Sequence, residues 1–478
     1  SQRRGAWHNL SHSVKYSDYL GYLTPISCFD VVPGDNINHK ISALIRTQPL
    51  LSPLMHVVDI DLHAYFVPDR LVFDEYEDFQ TGGLDGQASV TRPYMEAPAT
   101  TGYAVGSLAD YYGLPTGVPD YQHDARPLRG YNAIINRYYL DSQLQTERVY
   151  SKGSGLDTTT NRDIFRPAWK RDYFTKCRPE PQLGDEVVIP LTGDADILSD
   201  TALGGNQSVY PSASGPPKTI GIGAADTNIL YADLSSVTGI PIRELRESNA
   251  VQRWQESNNI FGGRYMEQIM ARFGIFPEDS RLQWPETLGM GNTKIQFSEV
   301  LGSVNNDDTT VGDLGGHGIS VMGSNRYRYK VKEHGFIHVF MIMRPKTQYF
   351  QGLHRMWNRE TRFDYLLPEF VAVGDQAVKN KELYVASAAP NDVFGYTPIY
   401  EEYRTIPSRV AGEFKTTLKY WHMAREFSSE PALNSDFIQC NPTNRVWTDQ
   451  AAAQVYCNVK HDISAWRLLP KTPSYMLK

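Results

Sequence analysis

The chain has 478 residues, 41% hydrophobic, 21% charged and 12% aromatic, a composition that excludes intrinsic disorder and collagen-like structure. Its longest apolar stretch, Phe336 to Met343, is interrupted by a histidine and falls far short of the roughly 20 residues needed to cross a bilayer, so no membrane insertion is expected. The net charge of −7, from 47 Lys+Arg against 54 Asp+Glu, excludes a general polyanion binder and leaves nucleic-acid contact to a local basic patch.

In chain order, the first feature is an arm over residues 1–20: Arg3, Arg4 and Lys15, with Trp7, His8, His12 and Tyr16, precede the first acid, Asp18. No apolar secretory core follows these residues. The four cysteines, Cys28, Cys177, Cys440 and Cys457, have no Cys-x-x-Cys spacing; they predict neither a disulfide framework nor a zinc site, and a reducing cytosol as the setting for folding. After the turn Pro33-Gly34-Asp35, Ile37, Ile41, Ala43 and Ile45 alternate with Asn38, Lys40, Ser42 and Arg46, the period of a strand. From Val57 to Val67 the apolar row Val58, Ile60, Leu62, Ala64 and Phe66 alternates with Asp59, Asp61 and His63, which predicts a half-buried strand able to pair antiparallel with the one before. Tyr131, Ile134, Ile135 and Tyr138 have the spacing of an amphipathic surface helix, as do Met266, Ile269, Met270 and Phe273 before Gly274. Pro241 marks a helix start before residues 242–247. Finally, residues 326–343 read as a strand entering a buried sheet.

Length admits two or three domains, or one large β domain with long insertions, and the strand signals favour the second. Of the 50 residues from Leu191 to Ile240, 23 are Gly, Pro, Ser, Thr or Asn; this stretch cannot build much core and reads as a polar surface insertion of a single domain spanning residues 21–478.

Catalytic signatures are lacking. No Gly-Lys-Ser or Gly-Lys-Thr occurs, Gly221-Ile222-Gly223 lacks a dinucleotide fingerprint, and no serine sits in a Gly-x-Ser-x-Gly elbow. His334 and His338 would share a metal on a helix, but on a strand they stand about 13–14 Å apart at roughly 3.4 Å per residue. Asn305-Asn306-Asp307-Asp308 with Asp313 offers either the oxygen ligands calcium takes or a solvated hairpin tip. The acidic runs Asp74-Glu75-Glu77-Asp78 and Glu401-Glu402 read as wet faces unless two carboxylates converge on a cleft. No enzyme and no cofactor are expected.

The basic bias is more informative. Residues 321–362 hold nine Lys or Arg (Arg326, Arg328, Lys330, Lys332, Arg344, Lys346, Arg355, Arg359, Arg362) against Glu333 and Glu360, interleaved with Tyr349, Phe350, Trp357 and Phe363. Such a mixture suits single-stranded nucleic acid; the other reading is arginines that bind carboxylates of a neighbouring subunit or face water. The N-terminal arm is the second candidate.

These residues belong to a wider pattern. Asn9-Leu10-Ser11, Val32-Pro33-Gly34-Asp35, Tyr65-Phe66-Val67-Pro68-Asp69-Arg70, Arg129-Gly130-Tyr131-Asn132, Trp169-Lys170-Arg171-Asp172-Tyr173-Phe174, Glu333-His334-Gly335-Phe336-Ile337, Tyr349-Phe350-Gln351-Gly352, Trp421-His422-Met423-Ala424 and Leu433-Asn434-Ser435-Asp436-Phe437-Ile438 occur in this order. Along nearly its whole length the sequence resembles the major capsid protein of microviruses, tailless single-stranded DNA bacteriophages, in particular the gokushovirus type. Trp284 and Phe73 depart from the Arg and Trp of typical members, as in a divergent lineage.

The resemblance implies an eight-stranded antiparallel viral jelly roll with long loop insertions and a few short helices. It implies about sixty copies in a T=1 icosahedral shell around circular single-stranded DNA, with further partners in a small basic DNA-condensing protein, minor virion proteins and a host surface receptor. The protein would reside in the virion after assembly in the bacterial cytoplasm. The alternative is a carbohydrate-binding or carbohydrate-active jelly roll.

Loops rich in Pro and Tyr, 110–121 and 390–403, are expected to bury against neighbouring subunits, and the 191–240 insertion to project outward toward the host. Sixty chains at −7 would total roughly −420, so basic groups must be segregated to meet the genome, unless cations or a basic protein do so. Arg3, Arg4 and Lys15 would reach phosphates while Trp7 and Tyr16 stack on bases; the competing role for this arm is a clamp on an adjacent subunit.

Overall fold

The computed structural model describes residues 5–83, 87–185, 196–199, 230–233, 242–262, 265–274, 282–301, 314–371 and 374–471. The chain divides into a larger unit, residues 1–181 with 263–478, and a smaller one, residues 182–262. In the larger unit the alternating segments become β1 (Ala6–Asn9), β2 (His12–Asp18), β3 (Leu23–Val31), β4 (Asn36–Thr47), β5 (Val58–Pro68), β6 (Glu286–Leu301), β7 (Leu314–Lys330), β8 (Gly335–Pro345) and β9 (Val455–Arg467). One sheet runs β2–β9–β4–β7, with β1 also pairing β9, and a second runs β6–β5–β8–β3, all antiparallel. Strand β6 belongs to both: Glu286 to Ile295 pair with β5, and Gln296 to Leu301 with β7. From β2 to β9 successive strands alternate between the sheets except at β5 to β6. This is the connectivity of an eight-stranded jelly roll.

The apolar rows read from the sequence meet between the sheets. Ile37, Ile41, Ala43 and Ile45 of β4, Val58, Ile60, Leu62 and Phe66 of β5, Ile337, Val339 and Met341 of β8, and Val455, Val459 and Ile463 of β9 form one buried cluster. The runs 37–47 and 57–67 therefore do not pair: β4 and β5 lie in opposite sheets and share the core instead. The segment 326–343 is likewise two strands, because the corner at residues 331–334 carries the chain from β7 to β8 in the other sheet.

Strand β5 is buried on both faces rather than one. The insertion between β5 and β6 supplies α1 (Arg126–Ile134), extended by a wider turn over Ile135–Tyr139. Its Tyr131, Ile134 and Ile135 pack with Tyr65, Val67, Phe340 and Ile342 on the far side of the second sheet. The expected surface helix is thus an internal one. Gly130 is needed there, since a Cβ would lie 2.8 Å from the His338 ring. The polar residues of β5 find partners under this cover: Asp61 meets Arg344 at 2.6 Å, Lys170 reaches Asp59 at 2.8 Å, and His63 bonds the Tyr139 hydroxyl at 2.5 Å.

The insertion between β8 and β9 packs Tyr349, Val378, Leu383, Phe394 and Phe437 around Tyr173 and Phe174. The Tyr-rich loops also turn inward. Tyr111 bonds the Ser17 carbonyl at 2.8 Å, Tyr112 bonds His338 at 3.0 Å, and Tyr400 is buried, while Tyr403 stays 46% exposed, so part of their aromatic content serves the subunit's own packing. In the smaller unit, α2 (Ile242–Phe261) far exceeds the segment read after Pro241, and Asp196–Ser199 pairs with Leu230–Asp233. The rest of the 191–240 insertion lies outside the described residues, as does its expected projection. The helix α3 (Tyr265–Phe273) forms as its spacing predicts, with Met270 and Phe273 exposed.

In the larger unit His39, His56, His123, His338, His422 and His461 are buried and His63 is half-buried. His39 bonds Tyr327 at 2.8 Å and His461 at 3.0 Å, and His12 stacks on His461. Burial pushes His39 and His338 down to about 3 and His56, His63 and His461 down to about 4. These groups are neutral in the fold but titrate near 6.5 once unfolded, so the stability they allow is complete above pH 6.5 and is lost below it, by about 2 kcal/mol each at pH 5. Burial also pushes Asp18 up to about 7 and Asp69 up to about 6, which acts the other way and returns about 4 kcal/mol together over the same interval. The imidazoles outweigh the carboxyls. Thermal unfolding should therefore show Tm falling between pH 7 and pH 5; a constant or rising Tm would show that Asp18 and Asp69 govern the acid limb.

Candidate nucleic-acid interface

In the described residues the two sheets differ in what covers them. The second sheet lies under α1, whereas the outer face of β2–β9–β4–β7 is open. Along each of its strands the alternation that buries one row exposes the other: Lys15 on β2, Lys40 and Arg46 on β4, Arg326, Arg328 and Lys330 on β7, and Lys460 on β9 are all exposed. Steps of two residues put Arg326, Arg328 and Lys330 in a line with about 7 Å between neighbours.

The register sets these side chains in rows. Lys330 stands opposite Asn36, Arg328 opposite Asn38, and Arg326 opposite Lys40, which on its other side faces Asp462. Lys15 stands opposite Asn458, and Trp7, 50% exposed, opposite Trp466. Asp462 is the one acid in these rows, and Lys460 holds it at 2.9 Å. Arg326 directly across from Lys40 is a like-charge pair, which destabilises a sheet unless something neutralises it. Trp7, Asn36, Asn38, Arg328 and Ser464 line a depression of about 440 Å³, where an indole, two amides and a guanidinium surround one space. A stacking surface and exposed cations thus occur together, the combination with which proteins hold a single strand without reading its sequence.

Of the residues singled out in the sequence, Trp7 and Lys15 lie on this face. Tyr16 does not: it sits opposite Cys457 on the inner side, its hydroxyl on the Met341 sulfur at 3.1 Å, so its ring is not offered to a base. Arg3 and Arg4 lie outside the described residues, and residues 6–18 of the expected arm supply β1 and β2. The basic segment 321–362 splits. Arg326, Arg328 and Lys330 join the face, whereas Arg344 pairs with Asp61, Arg355 lies 3.2 Å from Glu382, and Arg359 covers the rings of Tyr365 and Tyr403. Lys40, Arg46 and Lys460 were missed as a group because they come from strands far apart in the chain; the polar phase of the 37–47 alternation already held the first two.

Among the described residues the four cysteines are free, burial pushes every one of their thiols up, and no group of three or more His, Cys, Asp or Glu is placed to hold a metal. The loop at Asn305–Asp313 lies outside the described residues.

A family model described as "Capsid protein (F protein)" matches residues 1–476. The sequence is 32% identical to capsid protein VP1 of Bdellovibrio phage phiMH2K over 472 residues, 91% of this chain and 87% of that protein. It is 30% identical to capsid protein VP1 of Chlamydia phage 1, across 96% of this chain and 93% of that one. Capsid protein F of Escherichia phage G4 is more distant, 22% identical over 97% of this chain and 96% of its own length.

If the open face carries phosphates, replacing Arg326, Arg328 and Lys330 by glutamine should weaken binding of oligothymidylate and flatten the slope of log K against log salt by about 2. Tyr16→Phe should leave both unchanged. Fluorescence anisotropy over a salt series reads both quantities, and an unchanged slope in the triple variant would remove this face from the interface.

Proposed function

The chain belongs to the microvirus capsid protein (F protein) family, a structural protein of the virion rather than an enzyme, and from that premise we propose how it meets its genome. About sixty copies close into a T=1 icosahedral shell around circular single-stranded DNA, with the open cationic sheet face on the inner wall. The observation that carries this reading is the segregation of charge: among the described residues a chain of net −7 gathers seven exposed cations on one sheet face against Asp462 alone. Arg3 and Arg4, next in the chain before β1, add cations for phosphates, and Trp7 stacks on unpaired bases. A small basic protein or free cations supply the remaining countercharge.

Contacts between copies draw on the insertion between β8 and β9, where Met356, Trp357 (69% exposed), Phe363, Leu366 and Ile406 (84% exposed) are apolar and open to solvent. The insertion at about 191–240 contacts a host surface receptor, since its polar composition lets it vary without disturbing the sheets. Assembly takes place in the bacterial cytoplasm, with minor virion proteins joining the particle.

Negative-stain electron microscopy of the expressed protein should show closed megadalton particles; a monomer or small oligomer would favour a carbohydrate-binding jelly roll. Virions carrying Arg3→Ala and Arg4→Ala should form intact shells that retain less genome, the deficit growing with salt. Unchanged retention, or failure of the shell to form, would assign these arginines to clamping a neighbouring subunit.

A further inference from the structure

The depression beside Trp7 differs from the rest of the open face in what it can bond. It lies between two cross-strand rows: Trp7, Trp466, Asn36 and Lys330 in one, and Asn9, Ser464, Asn38 and Arg328 in the next. The two indoles are not equivalent. Gly5 lies against Trp466, so closely that a Cβ there would come within 2.3 Å of the ring. Trp7, 50% exposed, is the ring that borders the open space of about 440 Å³. A planar group entering that space has an indole face to stack on and polar side chains at its edge.

Those side chains supply donors and acceptors unevenly. Arg326 Nε donates to Asn38 Oδ1 at 2.8 Å, which occupies that carbonyl and leaves the NH2 group as the free end of the amide. Arg328 is a donor only, while Ser464 and Asn36 can each donate and accept. Among the described residues the Asn36 amide, the Ser464 hydroxyl and the Arg328 guanidinium have no partner, and no carboxylate lines the space. The set therefore offers donors from Asn38 and Arg328 with an acceptor, Asn36 Oδ1, beside them. Thymine carries the matching order on its pairing edge: a carbonyl, an N–H and a second carbonyl. Adenine instead presents an amino donor beside a ring nitrogen. Resting on the genome-facing reading above, we propose that this depression is a base pocket selective for thymine. One unpaired thymine stacks on Trp7, its carbonyls accept from Asn38 and Arg328, and its N3–H donates to Asn36. The cationic rows hold the phosphates of any strand; the pocket selects among bases.

Dodecamers of abasic residues with a single central base test this, because they share one charge and cannot stack on themselves. Fluorescence anisotropy at fixed salt should show the thymine oligomer binding at least about fivefold more tightly than the adenine one. Uracil should equal thymine, since their pairing edges are alike. In the Asn36→Ala/Asn38→Ala variant the preference should disappear, and Trp7→Ala should weaken both base-bearing oligomers to the level of the fully abasic strand. Neither variant removes a lysine or arginine, so the salt slope for the abasic strand should match that of the native protein, which also reports that the face is folded. Equal binding of thymine, adenine and fully abasic oligomers with a native salt slope would overturn the pocket and leave the cationic face standing. A preference that survives in the double variant would overturn it as well. Absence of salt-dependent binding by any oligomer would remove the face and the pocket together.

Discussion

A sheet that is apolar on both faces cannot be left open to water, and most of this architecture follows from that constraint. β8 is the clearest case: Ile337, Val339 and Met341 face the sandwich core while Phe340 and Ile342 face away from it. The second face needs a lid, and the sandwich has only one other sheet to give. The chain supplies the lid from its own insertion, folding α1 back so that Tyr131, Ile134 and Ile135 close over Tyr65, Phe340 and Ile342. Burying a further aromatic layer in this way contributes roughly 1.5 to 3 kcal/mol per large side chain.

Once the lid exists, polar groups beneath it must be paired, and here the insertion is fixed rather than merely greasy. Arg129, on the helix that covers the sheet, is fully buried; it reaches Asp157 at 2.7 Å and the Val72 and Gly153 carbonyls at 3.0 Å. Asp157 in turn accepts from Thr160 at 2.6 Å. Such a pair adds little net stability over apolar residues of the same shape, but removing one partner leaves a buried charge, a loss of about 3 to 5 kcal/mol. The network therefore fixes where the lid sits. The same logic accounts for Asp61 and His63, which point toward the lid and are met there by Arg344 and Tyr139.

This explains what was legible in the sequence. Alternation in 37–47 and 57–67 identified the strands and the apolar row of each correctly, because period two is a property of the strand alone. It did not reveal the partner strands, since pairing is decided by which sheet each strand enters. Nor did it reveal that Asp59, Asp61 and His63 are covered: polar residues on one phase look like a wet face until a lid 60 residues or more downstream brings Lys170 or Tyr139 to them. For the candidate interface the local run at Arg326–Lys330 was readable, while its union with Lys40, Arg46 and Lys460 is a product of strand order. Trp7 and Tyr16 looked alike as basic-arm aromatics; the pleat alone separates them, placing one opposite Trp466 outside and the other opposite Cys457 inside.

The lid also decides which sheet is free to carry charge. With α1 on one side, the β2–β9–β4–β7 sheet is the one whose outer residues have no covering layer among the described residues, and seven of them are Lys or Arg. A fold selected for stability alone would intersperse acids there, as the register allows at every cross-strand position, because each like-charge pair works against the sheet. Only Lys40 receives an acid opposite it, Asp462, while Arg326 presses on its other side. A surface kept in that state is destabilising in the monomer and would be relieved by a polyanion laid on it. On the proposed genome-facing role, protein stability and nucleic-acid affinity would be coupled through the same rows of side chains, and shielding of this face by salt would strengthen the free subunit while weakening any hold on DNA.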